Sequence, residues 1–320
     1  MMLALLQGLD PTAVSATVAV LGEGSFVDAL SGVAGVEVVR LPPAGRLRHV
    51  ARVPSTVVRL RSLIRSREID VVEAAGEKMA IYAGWAGRLA GVPVVASLHA
   101  APALHHDRST RLLQKLMARS PRQATATCSQ WMADEFRARH GIDARVIHDG
   151  LQVDLLPRAG AGRSRVLELA GWPTDAIVFA FFGRLQHWKG PDTFLDAAAI
   201  VSARPHAHEA RFLVVGAALY GRDEGFAAAL PERPASRALG ARLHFAGYRD
   251  DALDLMSGVD VVVHCSRLAE PSGVVLIEAG GLERAVIASR SRGPDEAIDD
   301  GVDGLLVPVD DAQALADAME

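Results

Sequence analysis

Twelve short runs of apolar and β-branched residues punctuate the chain, and amphipathic stretches of helical length separate most of them. In the first half the runs are SATVAVLG (15–22), VEVVRL (36–41), IDVVEA (69–74), PVVASLH (93–99), QATATCS (123–129) and ARVIHDG (144–150). In the second half they are AIVFAFFG (176–183), RFLVVG (211–216), RLHFAG (242–247), VDVVVHCS (259–266), RAVIAS (284–289) and DGLLVP (303–308). Segments such as STVVRLRSLIRSRE (55–68) and SQWMADEFRARHG (129–141) carry the helical period between them. This alternation predicts an α/β protein built on two parallel, doubly wound sheets. LPRAGAGRS (156–164), rich in Gly, Pro and Arg, lies between the two series and reads as the linker region, with domains over 1–157 and 158–320.

Open parallel sheets take ligands beyond the carboxyl ends of their strands. The residues to examine are therefore His99, Ser129, Asp149, Arg184, Gly216, Tyr248, Ser266 onward and Gly293. In GRLQHWKG (183–190), Gly183 ends an apolar strand and Arg184 follows at its tip. Lys189 precedes Gly190 and Pro191, which open a helix. Two cations five residues apart suit a diphosphate, although two solvated surface cations would give the same pattern. AEPSGVVLIEAGG (269–281) has a Pro-Ser-Gly turn, a helix start at Val274 and Val275, and Glu270 and Glu278 on either side of the turn. Free N–H groups at a helix start bind anions, and a carboxylate just beyond accepts from vicinal hydroxyls.

Composition narrows the classes. The 320 residues, half of them hydrophobic, suffice for two cores. Residues 1–160 hold 19 Lys and Arg against 14 Asp and Glu, so the front half is basic and the rest acidic. Arg59, Arg61, Arg65 and Arg67 alternate with apolar residues on one helix, which admits peripheral contact with an anionic membrane or plain packing on its own domain. No nucleic-acid partner is expected. Ala80–Leu98 is apolar but broken by Arg88, Gly91 and Pro93, and the N-terminus lacks a signal-peptide pattern, so a cytoplasmic protein is expected, with any membrane contact at the inner face. Cys128 and Cys265, the only cysteines, lack metal-ligand spacing and read as reduced core thiols. PHAHEA (205–210) and HHD (105–107) read as surface loops rather than metal sites. GEGSFV (22–27) has no third Gly and reads as a surface turn. No Asp-x-Asp, G-x-S-x-G elbow or P-loop occurs.

The series GRLQHWKG, VVGAALYG (214–221), FAGYRDD (245–251), EPSGVVLIE (270–278), GPDE (293–296) and DGVDGLLVP (300–308) resembles, in order and spacing, the retaining glycosyltransferases of family 4. SLHAA (97–101) and VIHDGLQVD (146–154) extend the resemblance forward more loosely. The resemblance implies a GT-B fold, two Rossmann-like domains facing across a cleft, with the acceptor on the first and the nucleotide sugar on the second. It implies metal-independent transfer of a sugar from a nucleotide diphosphate sugar to a hydroxyl of a glycan, lipid or small molecule, with retention and without a cofactor. Arg184 and Lys189 would hold the diphosphate and Glu270 the sugar hydroxyls. Glu278 would bind the ribose. Gly183, Gly216, Ser272, Gly273, Val274 and Val275 would approach the donor, Tyr248 would pack near the base, and His99 would sit beside the reacting centre. Ser272 stands where Phe is commoner, and Asp149 where Asn is commoner. MMLALLQGLD reads as the helix after the family's first strand, and DAQALADAME ends before the family's last helices, so a chain lacking those elements is expected. Two alternatives share this pattern: a sugar-nucleotide-binding protein without turnover, and another enzyme of the fold such as a sugar-nucleotide epimerase.

Overall fold

The structure, a computed structural model, describes residues 2–22, 25–42, 53–99, 123–205, 207–219, 221 and 223–320. HHD (105–107), Ala100 and Ala101 of SLHAA, residues 23–24 of GEGSFV, His206 and Tyr220 lie outside them. The chain divides into two compact units, residues 1–152 and 153–320.

In the first unit, β1 (Ala16–Val20) pairs with β2 (Val36–Arg40), in parallel. A four-stranded parallel sheet follows in the order β3 (Val72–Ala75), β4 (Val94–Leu98), β5 (Gln123–Thr127) and β6 (Ala144–Val146). Helix Glu77–Ala90 and helix Gln130–His140 connect these strands. Their small and apolar residues pack with Val94, Ala96 and Leu98 around buried Met132 and Phe136. Helix Val53–Ser66 buries Val57 and Ile64 in a core with Tyr82 and Ala86, so part of its apolar stripe is directed at its own unit. MMLALLQGLD does form a helix, Met2–Gln7.

The second unit is a six-stranded parallel sheet in the order β12-β11-β10-β7-β8-β9, with β7 Ile177–Phe182, β8 Ala210–Val215, β9 Leu243–Gly247, β10 Val261–His264, β11 Ala285–Ser289 and β12 Leu305–Val307. Both faces are covered, which is why the strands read as unbroken apolar runs. Along β7, Phe179 and Phe181 enter one core with Phe194 and Phe212, while Val178, Ala180 and Phe182 enter the other with Leu213 and Val262. The Gly-Arg segment expected as linker belongs partly to this unit. Gly160 N–H donates to the Ser257 carbonyl and Gly162 N–H to the Ser257 hydroxyl, and a Cβ on Gly162 would meet the Asp254 carbonyl at 1.8 Å. The contact-defined boundary thus falls between 152 and 153, ahead of that segment.

The strand order has one consequence for function. Winding runs outward from β7 to β8 and β9, then restarts on its other side with β10. The crevice between the carboxyl ends of β7 and β10 is the topological switch point, where an open sheet receives its ligand.

Candidate functional site

Two loops meet at that switch point. GRLQHWKG leaves β7, turns through a 3-10 segment at His187–Lys189, and enters helix Pro191–Ser202. The second loop runs from β10 through Glu270 to helix Val274–Gly281. They are fitted together closely. Gly190 has φ 68°, and a Cβ there would sit 2.1 Å from the Cys265 carbonyl oxygen, so this position requires glycine. The Cys265 thiol donates to the Gly190 carbonyl at 2.9 Å, and burial pushes its pKa up to about 12. Arg267 crosses between the loops. Its guanidinium donates to the His187 carbonyl and the Thr193 hydroxyl, and its backbone N–H donates to the Trp188 carbonyl.

The cations converge on one ring. The Trp188 indole has the Lys189 Nζ 4.3 Å and the Arg184 guanidinium carbon 5.8 Å from its centroid. Its Nε1–H donates to Gln186 Oε1 at 3.0 Å, which fixes the indole. Arg184 makes no hydrogen bond or ion pair among the described residues. Lys189 is different: it forms a largely buried ion pair with Glu270. The sequence implies both residues as ligand contacts and carries no hint that they bind each other across 81 positions.

Glu270 Oε2 is a crowded acceptor. Lys189 and the Ser266 hydroxyl donate to it, the latter at 3.0 Å, and His264 Nε2 lies 3.4 Å away. Burial pushes the Glu270 carboxyl up, but His264 and the Lys189 ammonium more than offset this and hold it far below the usual carboxylate range. His264 is fully buried, and burial lowers its pKa against the pull of Glu270, so the imidazole is held neutral. The carboxylate charge is therefore matched by Lys189. Glu270 Oε1 has no hydrogen bond among the described residues and is the atom left for a ligand hydroxyl. His264 is not expected at the site from the sequence, and Ser266, one of the strand-end residues to examine, has no role assigned there. Their signal was only their place at the end of a strand.

Helix Val274–Gly281 begins at Gly273, with φ 73° and no side-chain cap. Its first N–H groups, at Val274 and Val275, are oriented donors without a capping side chain. Glu278, on the next turn, is partly buried, and burial raises its pKa. It has no hydrogen bond or salt bridge among the described residues. Ser272 is partly buried and Tyr248, beyond β9, is 62% exposed. Gly183 and Gly216 end the neighbouring strands β7 and β8, where a Cβ on Gly216 would meet the Gly183 carbonyl at 1.8 Å. From β11, the Gly293 N–H donates to the Glu270 carbonyl at 2.9 Å and braces the loop from behind. Gly183, Arg184, Lys189, Glu270 and Ser272–Glu278 thus follow two adjacent strands of one sheet. His99 belongs to the first unit, where it follows β4 and is exposed.

Both units match known protein families. Residues 1–155 match the model of Glycosyltransferase Family 4, and residues 176–320 that of Glycosyl transferases group 1. A D-inositol 3-phosphate glycosyltransferase of Saccharomonospora viridis is 34% identical over 173 residues, covering 52% of this chain and 39% of that protein. A phosphatidyl-myo-inositol mannosyltransferase of Mycobacterium leprae is 26% identical over 290 residues, covering 88% of this chain and 71% of its own. The crystal structure of Anabaena HepE in complex with UDP and glucose superposes with a TM-score of 0.82 at 26% identity, covering 98% of this chain and 84% of that one. The match to the Saccharomonospora protein therefore spans about two fifths of that relative's length. With two Rossmann-like units and both halves matched in order, the chain belongs to the family 4 glycosyltransferases, group 1, of GT-B fold.

Proposed function

We propose that this protein transfers a sugar from a nucleoside diphosphate sugar to an acceptor hydroxyl, with retention at the anomeric carbon and without a metal on the diphosphate. The observation that carries the reading is the convergence of Arg184 and Lys189 on Trp188, at the switch point that the helix start at Val274 also borders. Breaking the glycosidic bond builds negative charge on the leaving diphosphate. Arg184, Lys189 and the Val274 and Val275 N–H groups stabilise that charge as fixed donors, which need no reorganisation during the reaction. An ammonium has three donors, so Lys189 keeps Glu270 while reaching a phosphate oxygen. Glu270 in turn presents Oε1 to a sugar hydroxyl. Glu278 takes the ribose hydroxyls, and Gly183, Gly216 and Gly273 let the donor approach the backbone. Ser272 lies beside the sugar and Tyr248 beside the base. His99, from the first unit, is assigned to the reacting centre. Attack from the face of the departing phosphate suits a site whose strongest charges surround that phosphate. The family resemblance favours it over a covalent intermediate.

The relatives point to the compounds to try first. The Anabaena structure holds UDP and glucose, and the named relatives are a D-inositol 3-phosphate glycosyltransferase and a phosphatidyl-myo-inositol mannosyltransferase. UDP-glucose with inositol 3-phosphate and phosphatidylinositol is the first assay set. Transfer product with free nucleotide supports the reading. Epimerised donor without transfer makes the protein an epimerase, and binding without either product makes it a sugar-nucleotide-binding protein. Peripheral contact with an anionic membrane belongs to the same reading. Arg59 and Arg65 are exposed on helix Val53–Ser66 beside Val58, 57% exposed. Equal sedimentation with anionic and neutral vesicles would remove it. The helices of the described residues include none long and apolar enough to cross a membrane.

A further inference from the structure

Three carboxyl ends of the first sheet bring together a histidine, a thiol and a carboxylate. His99 follows β4, Cys128 follows β5 and Asp149 lies three residues after β6. These strands are neighbours in the sheet, so residues about 20–50 positions apart in sequence sit side by side. One ligating atom from each, an imidazole nitrogen, the thiol sulfur and a carboxylate oxygen, all lie within 4.8 Å of one another. It is the one such trio among the described residues.

We propose that His99, Cys128 and Asp149 form a binding site for a thiophilic divalent cation of the zinc class, built from residues of the first unit alone. The ligand set is mixed nitrogen, sulfur and oxygen, which zinc accepts in tetrahedral geometry with bonds of about 2.0–2.3 Å. Such bonds bring ligand atoms to roughly 3.3–3.8 Å apart, so no edge of the trio, each within 4.8 Å, closes by more than about 1.5 Å. Three protein ligands leave the fourth position to water or to a substrate group. The hard cations magnesium and calcium prefer all-oxygen sets, so the thiol and imidazole discriminate against them.

The surroundings support each ligand. Cys128 is buried, while His99 is exposed and opens the trio to solvent. The Cys128 thiol lies 3.6 Å from the Met132 sulfur, a second soft atom on the same side. His148 Nδ1 lies 3.2 Å from the Cys128 carbonyl oxygen, and the Ser129 hydroxyl accepts from the Met132 N–H, so the turn that presents the thiol is held at both ends. Cation binding removes the thiol proton to solvent and forms the metal–sulfur bond, so affinity rises with pH. A cation here also takes His99 away from any part in transfer. The site is therefore inhibitory, and the transfer chemistry itself stays metal-free.

Cobalt(II) is the probe, because a thiolate ligand gives it an intense near-ultraviolet charge-transfer band and tetrahedral coordination gives it strong visible bands. The metal-stripped full chain is titrated with Co²⁺, then Zn²⁺ is added in competition. The expected result is one equivalent of Co²⁺ with the thiolate band, displaced by Zn²⁺, unchanged in Cys265→Ser and lost in Cys128→Ser. His99→Ala, an exposed change that leaves the core intact, lowers affinity on the order of tenfold or more. No thiolate band in the wild-type protein, or a band that persists in Cys128→Ser, overturns the proposal. So does undiminished affinity in His99→Ala, which keeps the test decisive if Cys128→Ser fails to fold. In an active preparation, Zn²⁺ inhibits wild type and spares Cys128→Ser. Inhibition of both equally also overturns it, whatever the outcome for the donor site.

Discussion

At the residue scale, the two cations of the GRLQHWKG loop separate into different roles. Arg184 lies over the Trp188 ring and makes no hydrogen bond or ion pair among the described residues, whereas Lys189 neutralises a buried carboxylate. Arg184→Ala should slow transfer roughly 10²–10³-fold, as loss of one oriented donor does, with a melting temperature near wild type. Lys189→Ala should slow transfer similarly and also destabilise by about 3 kcal/mol, because it strands Glu270 as a buried anion. Paired melting and rate measurements check both, and equal melting of the two variants would refute the distinction. Glu278 gives a pH prediction. Burial raises its pKa, so the ionised form that accepts hydroxyls is complete above that raised value and is lost as pH falls through it. Donor affinity should therefore weaken on acidification by up to about tenfold per pH unit below that value. Glu278→Gln should bind weakly at every pH and flatten the curve in a calorimetric titration. For the fold the sign is opposite: protonating Glu278 stabilises the folded state relative to the unfolded one as pH falls.

At the scale of elements, the site depends on how closely strand ends and helix starts approach. β7 and β8 meet so tightly beyond their ends that the Gly216 side has room only for hydrogen. Gly216→Ala should cost about 1–3 kcal/mol through forced backbone shifts, and should weaken donor binding with it. Gly273→Ala tests the helix start more gently. A left-handed φ costs a non-glycine residue about 1–2 kcal/mol, and its Cβ meets side-chain atoms, the nearest being Leu276 Cδ1 at 3.0 Å. Urea unfolding and nucleotide titration of both variants measure these effects. A Gly216→Ala protein as stable as wild type would contradict the packing described. The basic helix Val53–Ser66 shows the same lesson. Its periodicity suits both a membrane surface and a core, and the burial of Val57 and Ile64 commits one part of the stripe to the core.

At the scale of the molecule, chelation and ligand linkage are the informative measurements. Transfer should survive excess EDTA, since the charges proposed to serve the diphosphate are Arg184, Lys189 and a helix start. Complete loss of activity, restored by Mg²⁺ or Mn²⁺, would refute the metal-free account. A nucleoside diphosphate at a hundred times its dissociation constant should stabilise the second unit by about 2.7 kcal/mol, read as a rise in melting temperature.

The sequence by itself determined the elements and the class of fold. Strands of the second sheet, buried on both faces, read as continuous apolar runs, and β-branched residues marked the others, so the twelve strands of the described residues were legible, and the parallel class followed from the helices between them. It also located the loops that carry chemistry, because glycine, proline and charge at strand ends are local signals. Only the tertiary structure decided which loops meet. Strand order put β10 beside β7 and so joined Lys189 to Glu270, with His264 and Ser266 as supporting partners. The same kind of adjacency gathered His99, Cys128 and Asp149, whose spacing matches no local metal motif. The physical reason is common to both. Periodicity and turn chemistry act over a few residues, whereas the pairing of strands far apart in the chain is settled by burying both faces of the sheet at once, and the side chains at the strand ends acquire their neighbours only then.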